Sequence, residues 1–114
     1  MAYIARHRFA RIAPRKARLL VDLIRGKRVD EADAILRVSK QRAAVFVRKV
    51  LLSAQANAVD RGEEAVTDLV VAKVFVDDGP RQRRWRPRAR GMATPELRCR
   101  SHISIELDVK SDQK

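Results

Sequence analysis

Between Val76 and Ile103 the chain runs for 26 residues that offer almost nothing to a hydrophobic core. Strongly patterned segments stand on either side. Leu69 to Val76 is apolar and β-branched, a strand, and Ile103, Ile105, Leu107 and Val109 alternate with His102, Ser104, Glu106 and Asp108 in the pattern of a half-buried strand. A connection of that length inside a compact domain is usually functional or disordered. Folded back as a hairpin, each arm of ~12 residues at ~3.3 Å per residue would extend ~40 Å, against a radius of gyration near ~13 Å for a body of ~100 residues. The insert therefore projects well beyond the body.

Its chemistry is equally restrictive. The stretch GPRQRRWRPRARGMA, Gly79 to Ala93, holds six arginines and no acid. Arg84, Arg86, Arg88 and Arg90 recur at every second position, so an extended chain would put their guanidinium groups on one face. Such like charge repels itself unless a polyanion neutralises it, and a phosphate backbone is the first suspect. Trp85, the only tryptophan, sits among these arginines. Packing against the body is the alternative for it, but stacking on a base or wedging against a ribose suits its surroundings better.

The charge of the whole chain is +12, from 26 basic and 14 acidic residues. Gly79 to Arg100 carries eight arginines against Glu96 alone, and Met1 to Arg28 carries nine basic residues against Asp22 alone. The remainder is slightly acidic and reads as an ordinary globular body. The arginine runs lack the large apolar residues an interfacial membrane helix needs, so nucleic acid suits the footprint and no membrane partner is expected. A lone cysteine, Cys99, excludes an intrachain disulfide and any multi-cysteine metal site. The acid-free, Arg-rich start resembles a mitochondrial targeting segment, but it runs without a break into a structural helix.

At 114 residues the chain is one domain, with a body at 1–78 and 101–110 and an extended hairpin at 79–100. Tyr3 to Ile12 reads as a strand. Pro14 suits the first turn of a helix running to residue 25, with Ala17, Leu20, Val21 and Ile24 at helical spacing and Gly26 as its stop. Asp30 is placed to cap a short second helix through Leu36. Gln41 to Val59, free of Gly and Pro and apolar around much of its circumference, reads as a long helix buried on more than one side. The expected fold class is α+β, three helices on a small antiparallel three-stranded sheet, with a long protruding β-hairpin.

No catalytic constellation emerges. His7 and His102 lack the neighbours that metal-ligand spacing requires, and a solvated or RNA-facing role suits both. Cys99 has no base beside it and reads as a bystander. Glu63, Glu64, Asp77 and Asp78 read as solvated turn residues. Arg15, Lys16, Arg18, Arg25, Lys27 and Arg28 decorate the first helix and its exit. A solvated helix face explains most such runs, but with Asp22 as the one acid nearby, phosphate contact is favoured here. Together with Arg81, Arg83, Arg84, Trp85, Arg86, Arg88, Arg90, Arg98, Arg100 and His102 they form the candidate RNA-binding set. No metal or other cofactor is implied.

Several separate segments resemble one family, the bacterial-type large-subunit ribosomal protein twenty-two. Ala13-Pro14-Arg15-Lys16-Ala17-Arg18 stands where that family opens its first helix with Ser-Pro-x-Lys-x-x-Arg or close variants. Ile24-Arg25-Gly26-Lys27 matches its next signature and Ser53-Ala54-Gln55-Ala56-Asn57-Ala58 its small-residue helix. Gly79-Pro80, Arg83-Arg84, Pro87-Arg88-Ala89-Arg90-Gly91 and Ser101-His102-Ile103 match its hairpin. The resemblance implies a body bound to several domains of large-subunit ribosomal RNA and a hairpin threading between them. By the same resemblance, the tip at Arg88, Ala89, Arg90, Gly91 and Met92 lines the nascent-peptide exit tunnel. It implies early binding in subunit assembly, no catalysis and a cytoplasmic, ribosome-bound location, an organellar ribosome being the alternative. The implied partners are ribosomal RNA, neighbouring large-subunit proteins and nascent peptide, with no homo-oligomer. The return segment Thr94-Pro95-Glu96-Leu97, with Met92 and Cys99, is less basic and less β-friendly than the family pattern.

Two other functional classes fit the chain less well. A DNA-binding helix-turn-helix would use the helices from Asp30 and Gln41, but Ala43, Ala44, Val45, Phe46 and Val47 leave little polar surface for reading base edges. An RNA-directed enzyme would need a paired acid and base or a metal cluster, and the sequence supplies neither.

Overall fold

The structure, a computed structural model, describes residues 3–62 and 68–109. Strand β1 (Tyr3–Ala10) leads into α1 (Pro14–Ile24), α2 (Val29–Val38) and α3 (Arg42–Asp60). Strands β2 (Leu69–Asp78), β3 (Gln82–Pro87), β4 (Ala93–Arg98) and β5 (Ser101–Val109) follow, with one 3₁₀ turn at Ala89–Gly91. Three strands form an antiparallel sheet in the order β1-β5-β2, and β3 and β4 form a separate two-stranded sheet. The α+β class is as the sequence predicts. Glu63 and Glu64 lie outside the described residues.

One face of the sheet carries the core. Inward-facing Tyr3 and Ala5 on β1, Val71, Val74 and Val76 on β2, and Ile103, Ile105 and Leu107 on β5 are all buried against the helices. From α1 come Ala17, Leu20, Val21 and Ile24, the apolar face that the helical spacing marked out. Helix α3 packs on β1 and β5 and against both α1 and α2, and buries Ala43, Ala44, Val47, Val50, Leu51, Ala54 and Ala58. Its small residues let neighbouring backbones come close. Asn57 Nδ2 on that helix donates to the carbonyl oxygen of Ile4 at 3.0 Å, so the small-residue motif is a docking surface for β1.

Several boundaries differ from the sequence reading. Strand β1 stops at Ala10, after a bulge between His7 and Ala10 in which Phe9 takes φ 60°. Helix α2 starts at Val29 and runs to Val38, so Asp30 lies in its first turn with Glu31 and the N-cap is Arg28. Val29, only 3% exposed, draws the helix start to a residue the core requires. Asp77 and Asp78 close β2 as paired strand residues opposite His102 and Ser101, in place of the expected turn.

Helix α1 begins as expected, with Ala13 at the N-cap (φ −66°, ψ 136°) and Pro14 directly after it. The cap has no side-chain acceptor. Ala13→Ser supplies one for an N–H of the first turn and is expected to stabilise the protein by about 0.5–2 kcal/mol, read as a raised denaturant midpoint. An unchanged midpoint would mean those N–H groups are already satisfied.

Candidate nucleic-acid interface

Strands β3 and β4 pair in continuous register, from Gln82 opposite Arg98 to Pro87 opposite Ala93. The return arm is thus a full strand despite its composition, with Pro95 accommodated opposite Trp85. A two-stranded edge tolerates this proline, because a strand with one neighbour keeps every second N–H free of the ladder. The pairing sorts the side chains by period two. Gln82, Arg84, Arg86, Thr94, Glu96 and Arg98 share one face, and Arg83, Trp85, Pro87, Ala93, Pro95 and Leu97 share the other. All of these residues are exposed except Glu96, which is partly covered. Glu96 sits between Arg86 at 3.2 Å and Arg98 at 3.6 Å.

The expected row of four arginines is cut short. Arg84 and Arg86 share a strand face, but the strand ends at Pro87 and a turn supplies the tip. There Arg88 N–H donates to the carbonyl oxygen of Met92 at 2.6 Å, and Arg90 (φ 63°) and Gly91 (φ 72°) take left-handed conformations that reverse the chain. A left-handed turn abolishes the alternation, so Arg90 points independently of the strand. Residues Arg88 to Met92 are all exposed, Met92 at 69%.

At the hairpin base Gly79 N–H donates to the carbonyl oxygen of Arg100 at 2.8 Å, continuing the β2–β5 ladder outward. A Cβ on Gly79 would lie 2.9 Å from that same oxygen, so only glycine fits there without a shift. His102 is half-buried beside this base. Its Nδ1 accepts from the backbone N–H of Phe9 at 3.0 Å, and the Phe9 ring meets it edge-on at 4.9 Å. His102 therefore holds the β1 bulge, while His7 packs on Phe46 at 5.6 Å.

The cations of α1 divide into two kinds. Arg18 donates to the Val76 carbonyl oxygen from Nε at 3.2 Å and from Nη2 at 2.9 Å, and pairs with Asp78 at 3.3 Å. Arg25 donates to the Val74 carbonyl oxygen at 2.9 Å and to Asp22 at 2.7 Å. At the next residue, Gly26 N–H donates to the Val71 carbonyl oxygen at 3.0 Å, and Val71 N–H donates to the Lys27 carbonyl oxygen at 2.8 Å. Together these groups cover the outer edge of β2, whose carbonyls have no neighbouring strand. Arg28 approaches Asp68 at 3.5 Å. Arg15, Lys16 and the Lys27 side chain are exposed.

Lys16 also lines a cleft of about 850 Å³ between the hairpin and the body. Arg11 and Arg42 line it too, and sequence reasoning passed over both. Arg42, as the first residue of α3 with no acid in its opening turn, carried a local signal. Arg11 carried none, since its position depends on where β1 ends.

A family model described as ribosomal protein L22p/L17e matches residues 5–108. The chain belongs to this family. The L22p/L17e match spans body and hairpin alike, in agreement with the resemblance carried by the sequence motifs. As an L22p/L17e protein the chain is a structural protein of the large ribosomal subunit, in a family of structural proteins as opposed to enzymes. No helix among the described residues is long and apolar enough to cross a membrane.

The two kinds of cation on α1 are separable by stability. Arg18→Gln is expected to destabilise the free protein by about 1 kcal/mol, less than a buried charged hydrogen bond because the side chain is half exposed. Arg15→Gln should leave the denaturant midpoint unchanged. Equal midpoints for the two variants would show that Arg18 does not hold the β2 edge.

Proposed function

We propose that this ribosomal protein binds large-subunit ribosomal RNA through the hairpin and the adjoining face of α1, with the tip at Arg88 to Met92 at the nascent-peptide exit tunnel. The observation that carries the reading is the exposed β3–β4 ladder. Eight arginines between Arg81 and Arg100 face one acid, and no residue of the two strands is buried. The molecule is 64 Å long by 25 Å by 23 Å, with a radius of gyration of 17.1 Å, where a compact chain of this length would have about 13 Å. An extended, self-repelling arm of this kind gains nothing within its own fold, and RNA threaded along it supplies both the counter-charge and the apolar contact for Trp85.

Arginine suits the role, at 19 to 7 over lysine, because its planar fork grips phosphate bidentately and stacks on bases. The family membership supports the remainder: contact with several RNA domains, support of subunit assembly, and a place on the cytoplasmic ribosome beside neighbouring large-subunit proteins. The helix-turn-helix alternative fails on burial. Ala43, Ala44 and Val47, which a recognition helix would present to a groove, lie 2%, 2% and 0% exposed in the core.

Binding to a folded fragment of large-subunit RNA should weaken steeply with salt, with a slope of log K on log salt of about −0.7 to −0.9 per phosphate contact. Replacing Arg84, Arg86, Arg88 and Arg90 by Gln should flatten that slope without altering thermal stability. A slope insensitive to the four substitutions would refute phosphate contact along the arm. Deleting Arg81 to Leu97 and closing the arms with Asn-Gly, a turn whose twist suits adjoining strands, should leave a folded body by circular dichroism and amide exchange. A molten product would mean the arm is part of the core.

A further inference from the structure

Helix α3 is apolar around more of its circumference than the fold uses. Its seven buried residues fall on one arc of the helix. Val45, Leu52, Ala56 and Val59 fall on the opposite arc, and all four are exposed, Val45 and Val59 at 55%. A helix packed on one side only carries polar residues there, whereas this one carries a second apolar stripe.

The stripe has the spacing of a helix-pairing seam. Val45, Leu52 and Val59 recur every seven residues, with Lys49 and Ala56 between them at the alternate positions of the heptad. From Val45 to Val59 it runs about 21 Å, or about four turns, at ~1.5 Å per residue. At its first end it meets an open pocket of about 280 Å³ between the end of α2 and the start of α3, lined by Leu36, Ala44 and Val45 together with Arg37, Arg48 and Lys49.

The charge beside the stripe selects its occupant. Arg37 and Arg48 share the single carboxylate of Asp33, at 3.0 and 2.8 Å. Lys49, exposed within the stripe, has no ion-pair partner among the described residues, and α3 carries no acid before Asp60. This end therefore sets unanswered positive charge beside apolar surface. A second copy of the chain does not suit it. Aligned in parallel, Lys49 would meet Lys49; antiparallel about Leu52, Lys49 would lie opposite Gln55 and again find no acid, and each copy brings a net charge of +12. RNA does not suit it either, since Val45, Leu52, Ala56 and Val59 offer phosphate no donor.

We infer that the outer stripe of α3 docks an amphipathic helix of a partner protein, its apolar seam on Val45, Leu52 and Val59 and its acids against Arg48 and Lys49. The partner's aspartates or glutamates lie over the start of α3, and one of its large apolar side chains enters the pocket beside Leu36. Lys49 thereby fixes register and partner choice, as a lone lysine in a helix seam does. The inference is independent of the RNA-binding reading, whose residues lie elsewhere.

The probe is a synthetic acidic helix of three heptads, about 21 residues, with leucine at a and d and glutamate at e and g. It is labelled and titrated by fluorescence anisotropy with the full-length protein at about 150 mM salt, where distant exposed charges are screened. Leu52→Ser and Lys49→Glu should each weaken binding on the order of tenfold. Lys49→Glu, at an exposed position that the core does not use, should also bind the sign-reversed peptide, with lysine at e and g, more tightly than the wild type does. Both variants should keep the wild-type affinity for a folded large-subunit RNA fragment, and replacing Arg84, Arg86, Arg88 and Arg90 by Gln should leave peptide binding unchanged. Binding that persists in both α3 variants, that falls with the four hairpin substitutions, or that a scrambled peptide of equal composition matches would reduce the effect to attraction of acid to a basic chain and overturn the inference. Loss of RNA binding in Leu52→Ser, or self-association of the free protein that Leu52→Ser abolishes, would assign the stripe to RNA or to a second copy and overturn it equally.

Discussion

The pairing of β2 with β5 is the interaction on which the rest of this molecule depends. The register runs from Leu69 opposite Val109 to Asp78 opposite Ser101, with one bulge between Val71 and Lys73. Everything between these strands in sequence must leave and re-enter the body at the same point. The hydrogen bond from Gly79 to Arg100 carries the ladder past the last core residue. The outer hairpin is therefore an extension of a strand pair already anchored by Val74, Val76, Ile103 and Ile105. Strand β5, the last among the described residues, lies at the centre of the sheet, so the body is complete only when the chain has returned from the hairpin.

The free edge of β2 explains why the arginines of α1 are not equivalent. An edge strand presents carbonyls that invite another chain, and here Arg18, Arg25 and the backbone at Gly26 and Lys27 occupy those of Val76, Val74 and Val71. A guanidinium is suited to this, having five donors in a flat fork. Arg18 and Arg25 keep about half of their side-chain surface open, so the same groups can hold the sheet on one side and face a polyanion on the other. Charge on this protein is thus divided between closing its own fold and meeting what lies outside it.

Two opposed environments meet along one ribbon. Its inner half is bounded by a core in which Ile103, Ile105 and Leu107 are fully buried, while its outer half exposes Trp85, Leu97 and Met92. Both halves hold the same antiparallel pairing, since backbone hydrogen bonds do not depend on what the side chains meet. The side chains alone decide that one half folds against helices and the other waits for a partner.

Periodicity in the sequence was enough to place the three helices, the flanking strands and the arginine-rich excursion, because burying an apolar face imposes spacings that are local and readable. The motifs that carry the family resemblance were legible as short residue strings, independent of that spacing. What only the tertiary structure decided was the destination of individual polar groups. Nothing local distinguishes Arg18, bound to the β2 edge, from Arg15, open to solvent, and nothing local brings Arg11 and Arg42 to one cleft wall. The start of α2 at Val29 and the reversal at Arg90 were likewise settled by core packing and by a left-handed turn. Hydrophobic pattern is written along the chain, but hydrogen-bond partners 49 to 60 residues apart, as for Arg25 and Arg18, exist only once the chain has closed on itself.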